Sequence, residues 1–306
     1  MARVDPIVPR SAREASEAFA ARPRHVDVPG GRLAYWRFGH GPDVVFVHGW
    51  PLHAATFRAL VPLLAPRFTL HLFDLPGTGR TEWTGPIGIA EHATTVRRAI
   101  DTLGLERYAF VAHDSGGAIA RLVAADDPRV RGLILGNTEI PGHHPWLVKL
   151  YAIAAKTPLL ATLLVSGMRA GVVRRSFLGF GGCFADPHFV DGEFGDLFVR
   201  PLTSSTRVAE GQMALAKTLD FALMDTLERV HARITAPTLC VWGPGDPFFP
   251  IAKARRMLPQ FRGGAELVEI PGAKLFAHEE RPEDFARHAA PFLSRCFEER
   301  RDTRAA

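Results

Sequence analysis

Short runs of β-branched and aromatic residues, each one strand long and each followed by a helical stretch, constrain this chain more than any other feature. Residues 44–48 are Val-Val-Phe-Val-His, with no polar break until the last. A run of that kind suits a strand buried on both faces. Residues 68–74, 108–114, 132–135, 238–242 and 267–270 are further mostly apolar runs of strand length, and residues 32–38 alternate. Helical stretches fall between them at 54–64, 91–103, 116–125 and 251–258. Strands alternating with helices predict an α/β fold, with a mostly parallel central sheet flanked by helices.

Residues 140–230 break the alternation. They carry helical periodicity and seven Phe from Phe177 to Phe221. An insertion there would sit above the carboxyl edge of the sheet, where open α/β sheets bind ligands. The expected organisation is an N-terminal arm at 1–25, a core at 26–139 and 231–300, and a helical cap at 140–230.

Composition narrows the partners. The 306 residues are 47% hydrophobic and 23% charged, which is enough apolar material for a large core. The net charge of +5 comes from 37 basic residues against 32 acidic ones. The basic residues are scattered singly and in pairs, without a run, so no nucleic-acid partner is expected. Cys183, Cys240 and Cys296 are far apart, which implies neither a zinc site nor a disulfide framework. Residues 1–24 lack the apolar stretch of a signal peptide. The longest apolar run, 159–168, is too short to span a bilayer. The expectation is a cytoplasmic protein, monomer or homodimer, with no membrane partner, acting on a hydrophobic small molecule.

The sharpest local signal is Ala112-His113-Asp114-Ser115-Gly116-Gly117, where a buried strand gives way to a helix. A strained strand-to-helix bend exposes the residue at its centre and crowds the residues two before and two after it. With Asp114 at the centre those are Ala112 and Gly116. With Ser115 they would be His113 and Gly117, and the imidazole would clash. The spacing therefore selects Asp114 as the nucleophile and disfavours Ser115-based esterase chemistry. A second loop, His48-Gly49-Trp50-Pro51, follows another buried strand. The backbone N–H groups of Trp50 and Ser115 would form a two-donor oxyanion hole. A third loop, residues 74–81, reads as structural.

With these motifs on the page, the chain resembles the α/β-hydrolase fold over residues 30–295. It looks most like the cap-bearing branch with an aspartate nucleophile: epoxide hydrolases, haloalkane dehalogenases and fluoroacetate dehalogenases. The motifs are HGWP (48–51), DLPGTGRT (74–81), AHDSGG (112–117), WGPGDPFFP (242–250) and IPGAKLFAHEERPEDF (270–285). The resemblance implies that the Asp114 carboxylate attacks an electrophilic carbon to form an ester. A water activated by His then cleaves the ester, and a second acid orients that His. The acid maps onto Asp246, with Glu139 as the alternative. No metal or organic cofactor is implied.

The chain departs from the family at the base. Leu275 stands where the family places His, and leucine moves no proton. His278, three residues on, is the provisional base, on the argument that one helical turn carries it to the face of Leu275. His53, His143 and His144 are other candidates. In a third reading no base exists: the ester forms and persists, or the protein does something other than hydrolysis, for instance as a ligand receptor. Ser115 stands where dehalogenases carry a Trp that donates to the departing halide. Trp50 stands in HGWP instead of an Asn, and epoxide hydrolases fit HGWP better, so epoxides come before organohalides as substrates. Tyr151 or His143 would donate to the epoxide oxygen.

Overall fold

The computed structural model describes residues 8–298. Among them nine strands form one sheet: β1 (Arg24–Val28), β2 (Gly31–Phe38), β3 (Asp43–Val47), β4 (Thr69–Phe73), β5 (Glu82–Trp83), β6 (Tyr108–His113), β7 (Val130–Gly136), β8 (Thr238–Trp242) and β9 (Ala265–Glu269). The order across the sheet is β1-β2-β4-β3-β6-β7-β8-β9, with β5 beside β2. β2 runs antiparallel to β1, β4 and β5, whereas every pairing from β4 to β9 is parallel. The α/β expectation holds, and the mostly parallel sheet is flanked by helices.

The chain leaves β3 on one side to form β4 and later returns on the other side to form β6. The order therefore reverses between β3 and β6, and a crevice opens at the carboxyl ends of those two strands. Val47 pairs with Ala112 there, which sets Gly49 and Trp50 against Asp114. β7 and β8 lie next in line and deliver Asn137 and Asp246 to the same edge.

Every residue of β4, β6 and β8 is buried, Thr69, His71 and His113 included, as expected of strands covered on both faces. β1 and β5 escaped the sequence reading. In β1 only Val26 is buried, so it carries no apolar run. β5 has just two residues. The helix expected at 54–64 is instead a 3₁₀ turn, Ala54–Phe57, and a single α turn, Val61–Leu64, with Pro62 in its first turn.

Residues 1–7 of the expected arm lie outside the described residues. Its remainder holds a helix, Ala12–Ala20, capped by the Ser11 side chain and anchored by Phe19 against Trp36 and Phe38. Between β7 and β8 the chain is helical. Trp146–Ala155, Pro158–Gly167 and Thr206–Lys217 are its longer helices.

Candidate active site

Asp114 leaves β6 with φ 50° and ψ −136° and caps the helix Ser115–Ala124 without a side-chain bond to it. It is the one non-glycine residue with positive φ among the described residues. Such a conformation costs about 1–3 kcal/mol and persists only where neighbours enforce it. Two glycines do so by letting backbone come close. A Cβ on Gly116 would lie 2.2 Å from the Val47 carbonyl oxygen. A Cβ on Gly49 would lie 2.4 Å from the Asp114 Cβ. Sterics at position 116 thus operate beside Asp114, and Gly49 adds a second close approach.

The Trp50 N–H donates to Asp114 Oδ2 at 2.9 Å and reaches Ser115 Oγ at 3.0 Å. Burial, followed by the nearby Glu139 carboxylate, pushes the Asp114 pKa up to about 8. The N–H groups of Ser115 and Trp50 act in the opposite sense.

The Trp50 loop is braced from behind. His48 Nε2 accepts the Leu75 N–H at 3.0 Å, so the ring proton sits on Nδ1 and goes to the Gly49 carbonyl, also at 3.0 Å. Burial holds this imidazole neutral, with its pKa lowered to about 4. The loop 74–81 is likewise structural. Asp74 accepts the Ala54 N–H and the Arg80 N–H.

Asp246 lies on the far side of the crevice. Its Oδ2 accepts from Asn137 Nδ2 at 2.7 Å and its Oδ1 from the Phe248 N–H at 2.7 Å. Burial raises its pKa to about 6. Among the described residues no imidazole bonds to it. Asn137 also bridges the Gly243 N–H and carbonyl, so it locks the ends of β7 and β8 together.

The provisional base does not reach the site. Leu275 sits in a turn, and the short helix Ala277–Glu280 begins only after it. The one-turn argument needs both residues on one helix, and they are not. His278 is buried against Phe57 and His113, with Nε2 2.8 Å from Thr56 Oγ1. Burial and the neighbouring His113 drive its pKa well below the ordinary value. Thr56 donates to Glu279, which is clamped by Arg58. His278 is therefore part of a buried brace, and its assignment as base is corrected.

The other histidines are also committed. His53 Nε2 donates to the Leu197 carbonyl. His143 Nε2 donates to the Phe248 carbonyl at 2.8 Å, while its Nδ1 accepts from Lys253 at 2.7 Å. That leaves His143 no donor for a substrate. His144 Nε2 pairs with Asp225 at 2.9 Å.

Two chambers meet at Asp114. The larger encloses about 710 Å³ with its mouth and is walled by apolar side chains of the insertion together with Leu275, Phe276, Phe248 and Phe249. Its polar atoms are few. The Tyr151 hydroxyl lines it but donates to the Leu178 carbonyl, and the Trp50 indole N–H donates to the Gln212 carbonyl. The Cys183 thiol lines it without a hydrogen-bond partner among the described residues, kept protonated by burial and the carboxylates of Asp246 and Asp114. The smaller chamber, about 550 Å³, approaches Asp114 and Ser115 from the side of Glu139, His143 and His144.

The family model for the alpha/beta hydrolase fold matches residues 42–282, most of the chain. The chain belongs to the α/β hydrolase fold family. It is 28% identical over 274 residues to haloalkane dehalogenase 2 of Mycobacterium tuberculosis, covering 86% of this chain and 92% of that protein. Among solved structures it resembles the epoxide hydrolase CorEH, with TM-score 0.74, 22% identity, and 89% and 98% of the two chains covered. It resembles haloalkane dehalogenase DbeA from Bradyrhizobium elkani similarly, with TM-score 0.73, 21% identity, and 89% and 97% covered. At those identities the likeness is one of fold.

Two residues that position the site in this α/β hydrolase were missed from sequence. One is Asn137; its only signal was a polar residue directly after β7. The other is Arg121, fully buried in the helix that Asp114 caps. Its guanidinium donates to the Gly117 carbonyl, the Glu139 carbonyl and Thr138 Oγ1, all within 3.0 Å. Thr138 in turn bonds the Asp114 carbonyl at 2.8 Å. An arginine amid Ala and Ile in a buried helix was the available clue.

Proposed function

We propose that this hydrolase uses Asp114 as a nucleophile toward a small or medium hydrophobic electrophile, with an epoxide first and an organohalide second. One observation carries the reading. A carboxylate held at an enforced bend, with one oxygen pinned by the Trp50 N–H, faces an apolar chamber under the helical cap. Oδ1 is then the attacking oxygen. It bonds to the electrophilic carbon as the carbon–oxygen or carbon–halogen bond breaks. As the ester forms, the Trp50 N–H remains on its carbonyl oxygen, and the Ser115 N–H at the helix start is the second donor proposed for the oxyanion of a later hydrolysis.

The chamber supports an epoxide over a halide. The opened oxygen stays on the substrate as an alkoxide, basic enough to take a proton from water, and the hydroxide so formed leaves through the chamber mouth. A departing halide would be left in an apolar chamber whose Trp50 and Tyr151 donors are already engaged, and an unpartnered buried anion is costly. The organohalide reading draws its support from the sequence match to a haloalkane dehalogenase.

Hydrolysis of the ester is the slow half. Leu275 lines the chamber where an imidazole would activate water, so the ester accumulates. A second reading, a base-less ligand-binding member of the fold, rests on the same residue. The test is a time course of intact mass with a panel of hydrophobic epoxides and alkyl halides. The proposal expects an adduct approaching one per chain, followed by turnover much slower than its formation. Tight ligand binding without an adduct or turnover would leave the receptor reading. Labelling of Ser115 by an organophosphonate would support esterase chemistry instead; its Oγ has no imidazole partner among the described residues.

A further inference from the structure

The cap carries an exposed apolar surface that the catalytic reading does not use. All nine large apolar side chains exposed among the described residues lie between Trp146 and Leu178. The helix Trp146–Ala155 turns Val148 and Tyr151 into the larger chamber and presents Trp146, Leu150 and Ile153 outward, the last 61% exposed. The helix Pro158–Gly167 turns Leu164 and Val165 inward and presents Leu159 and Leu163 outward, 68% and 57% exposed. No residue of that second helix is fully buried. The two faces of these helices thus join solvent to the chamber wall. Monomeric proteins rarely show a contiguous apolar surface of this kind unless something covers it.

Charge points to what covers it, with the exposed Glu210 the one acidic residue in the groove that adjoins the second helix. From residue 140 to residue 185 the chain has five basic residues and no Asp or Glu. Arg174 and Arg175 are paired with Asp191. Lys149, Lys156 and Arg169 have no carboxylate partner among the described residues, and Lys156 and Arg169 are exposed beside the apolar helices. An apolar face with Trp at its edge and cations around it fits a lipid surface bearing anionic headgroups. A second copy fits poorly, because a two-fold interface would bring the same cations together.

We propose that the cap docks on an anionic membrane surface through Trp146, Ile153, Leu159 and Leu163, and that the electrophile enters the chamber from the lipid phase. The absence of a membrane partner was expected because no apolar run is long enough to span, and no helix among the described residues is long and apolar enough to cross. Lying on a surface is a different event. The docking stands on its own observations. The lipid-dissolved substrate class rests on the Asp114 reading.

The experiment sediments the full chain with vesicles of phosphatidylcholine alone or mixed with phosphatidylglycerol, without substrate. Binding is expected to the anionic vesicles and to weaken with salt. Ile153→Asp/Leu159→Asp/Leu163→Asp, at three exposed positions, should keep its melting temperature and lose roughly 100-fold in binding. Lys149→Ala/Lys156→Ala should lose about fivefold per charge on anionic vesicles and little on neutral ones. The proposal fails if neither vesicle binds the protein, or if neither variant changes binding. It also fails if the chain instead forms a concentration-dependent dimer that the Asp variant dissociates. Adduct formation in free solution is measured separately, so loss of docking and loss of the Asp114 chemistry give different results.

Discussion

The bend at Asp114 and the turn at Leu275 face the same chamber and have opposite equipment. The bend has every part it needs: an enforced positive φ, two glycines at van der Waals limits, and an N–H on the carboxylate. The turn keeps its backbone anchor without a reactive side chain. His113 Nε2 donates to the Leu275 carbonyl at 2.9 Å, and burial holds that ring neutral with its pKa lowered to about 4. Asp246 is also in place, bonded to Asn137. On the proposed reading, the scaffold of a catalytic loop and its chemistry are separable. Leu275 then supplies no proton relay, while the anchor beneath it stays.

The sharpest way to break the comparison is Asp114→Asn. A neutral amide is a poor nucleophile, so adduct formation should fall to background by intact mass. The same variant should be more stable. Because the folded-state pKa of Asp114 is raised, native stability is lost as pH rises from the ordinary carboxylate range toward about 8. Removing that charge should gain on the order of 1–3 kcal/mol at alkaline pH in denaturant titrations.

Leu275→His tests the other side. If water activation limits turnover, the imidazole should raise steady-state hydrolysis by roughly 10²–10⁴. In a Leu275→His/Asp246→Asn double variant most of that gain should vanish. An unchanged rate in a folded Leu275→His would place the limit elsewhere.

A smaller effect is read in the pH profile of adduct formation. The attacking form is the carboxylate, so the rate should rise about tenfold per pH unit below the Asp114 pKa of about 8 and level above it. A flat profile from pH 5 upward, an outcome set by an ordinary carboxylate pKa of about 4, would contradict the buried environment described for Asp114. Last, His113→Ala should cost about 2–4 kcal/mol of stability through the lost bond and cavity. It should leave adduct formation nearly unchanged, because the anchor serves the Leu275 turn.

What could be read from the sequence followed from local rules. Buried strands announce themselves as mostly apolar runs, and the bend at Asp114 obeys a steric rule seen at Gly116. The fold and the position of Asp114 were therefore legible. His278 was misplaced because its argument assumed a helix already running at Leu275, where the chain makes a turn. The commitments of His143, Tyr151 and the Trp50 indole were hidden for another reason. Their partners, the carbonyls of Phe248, Leu178 and Gln212, are distant in sequence. Arg121 and Asn137 act through the same kind of long-range bond.

The most direct test of the account is where an electrophile attaches. After incubation with a reactive hydrophobic epoxide, proteolysis and tandem mass spectrometry should place one alkyl group on the Asp114 carboxylate, as a base-labile ester. An adduct confined to Cys183 or Ser115, with Asp114 unmodified in folded protein, would contradict it.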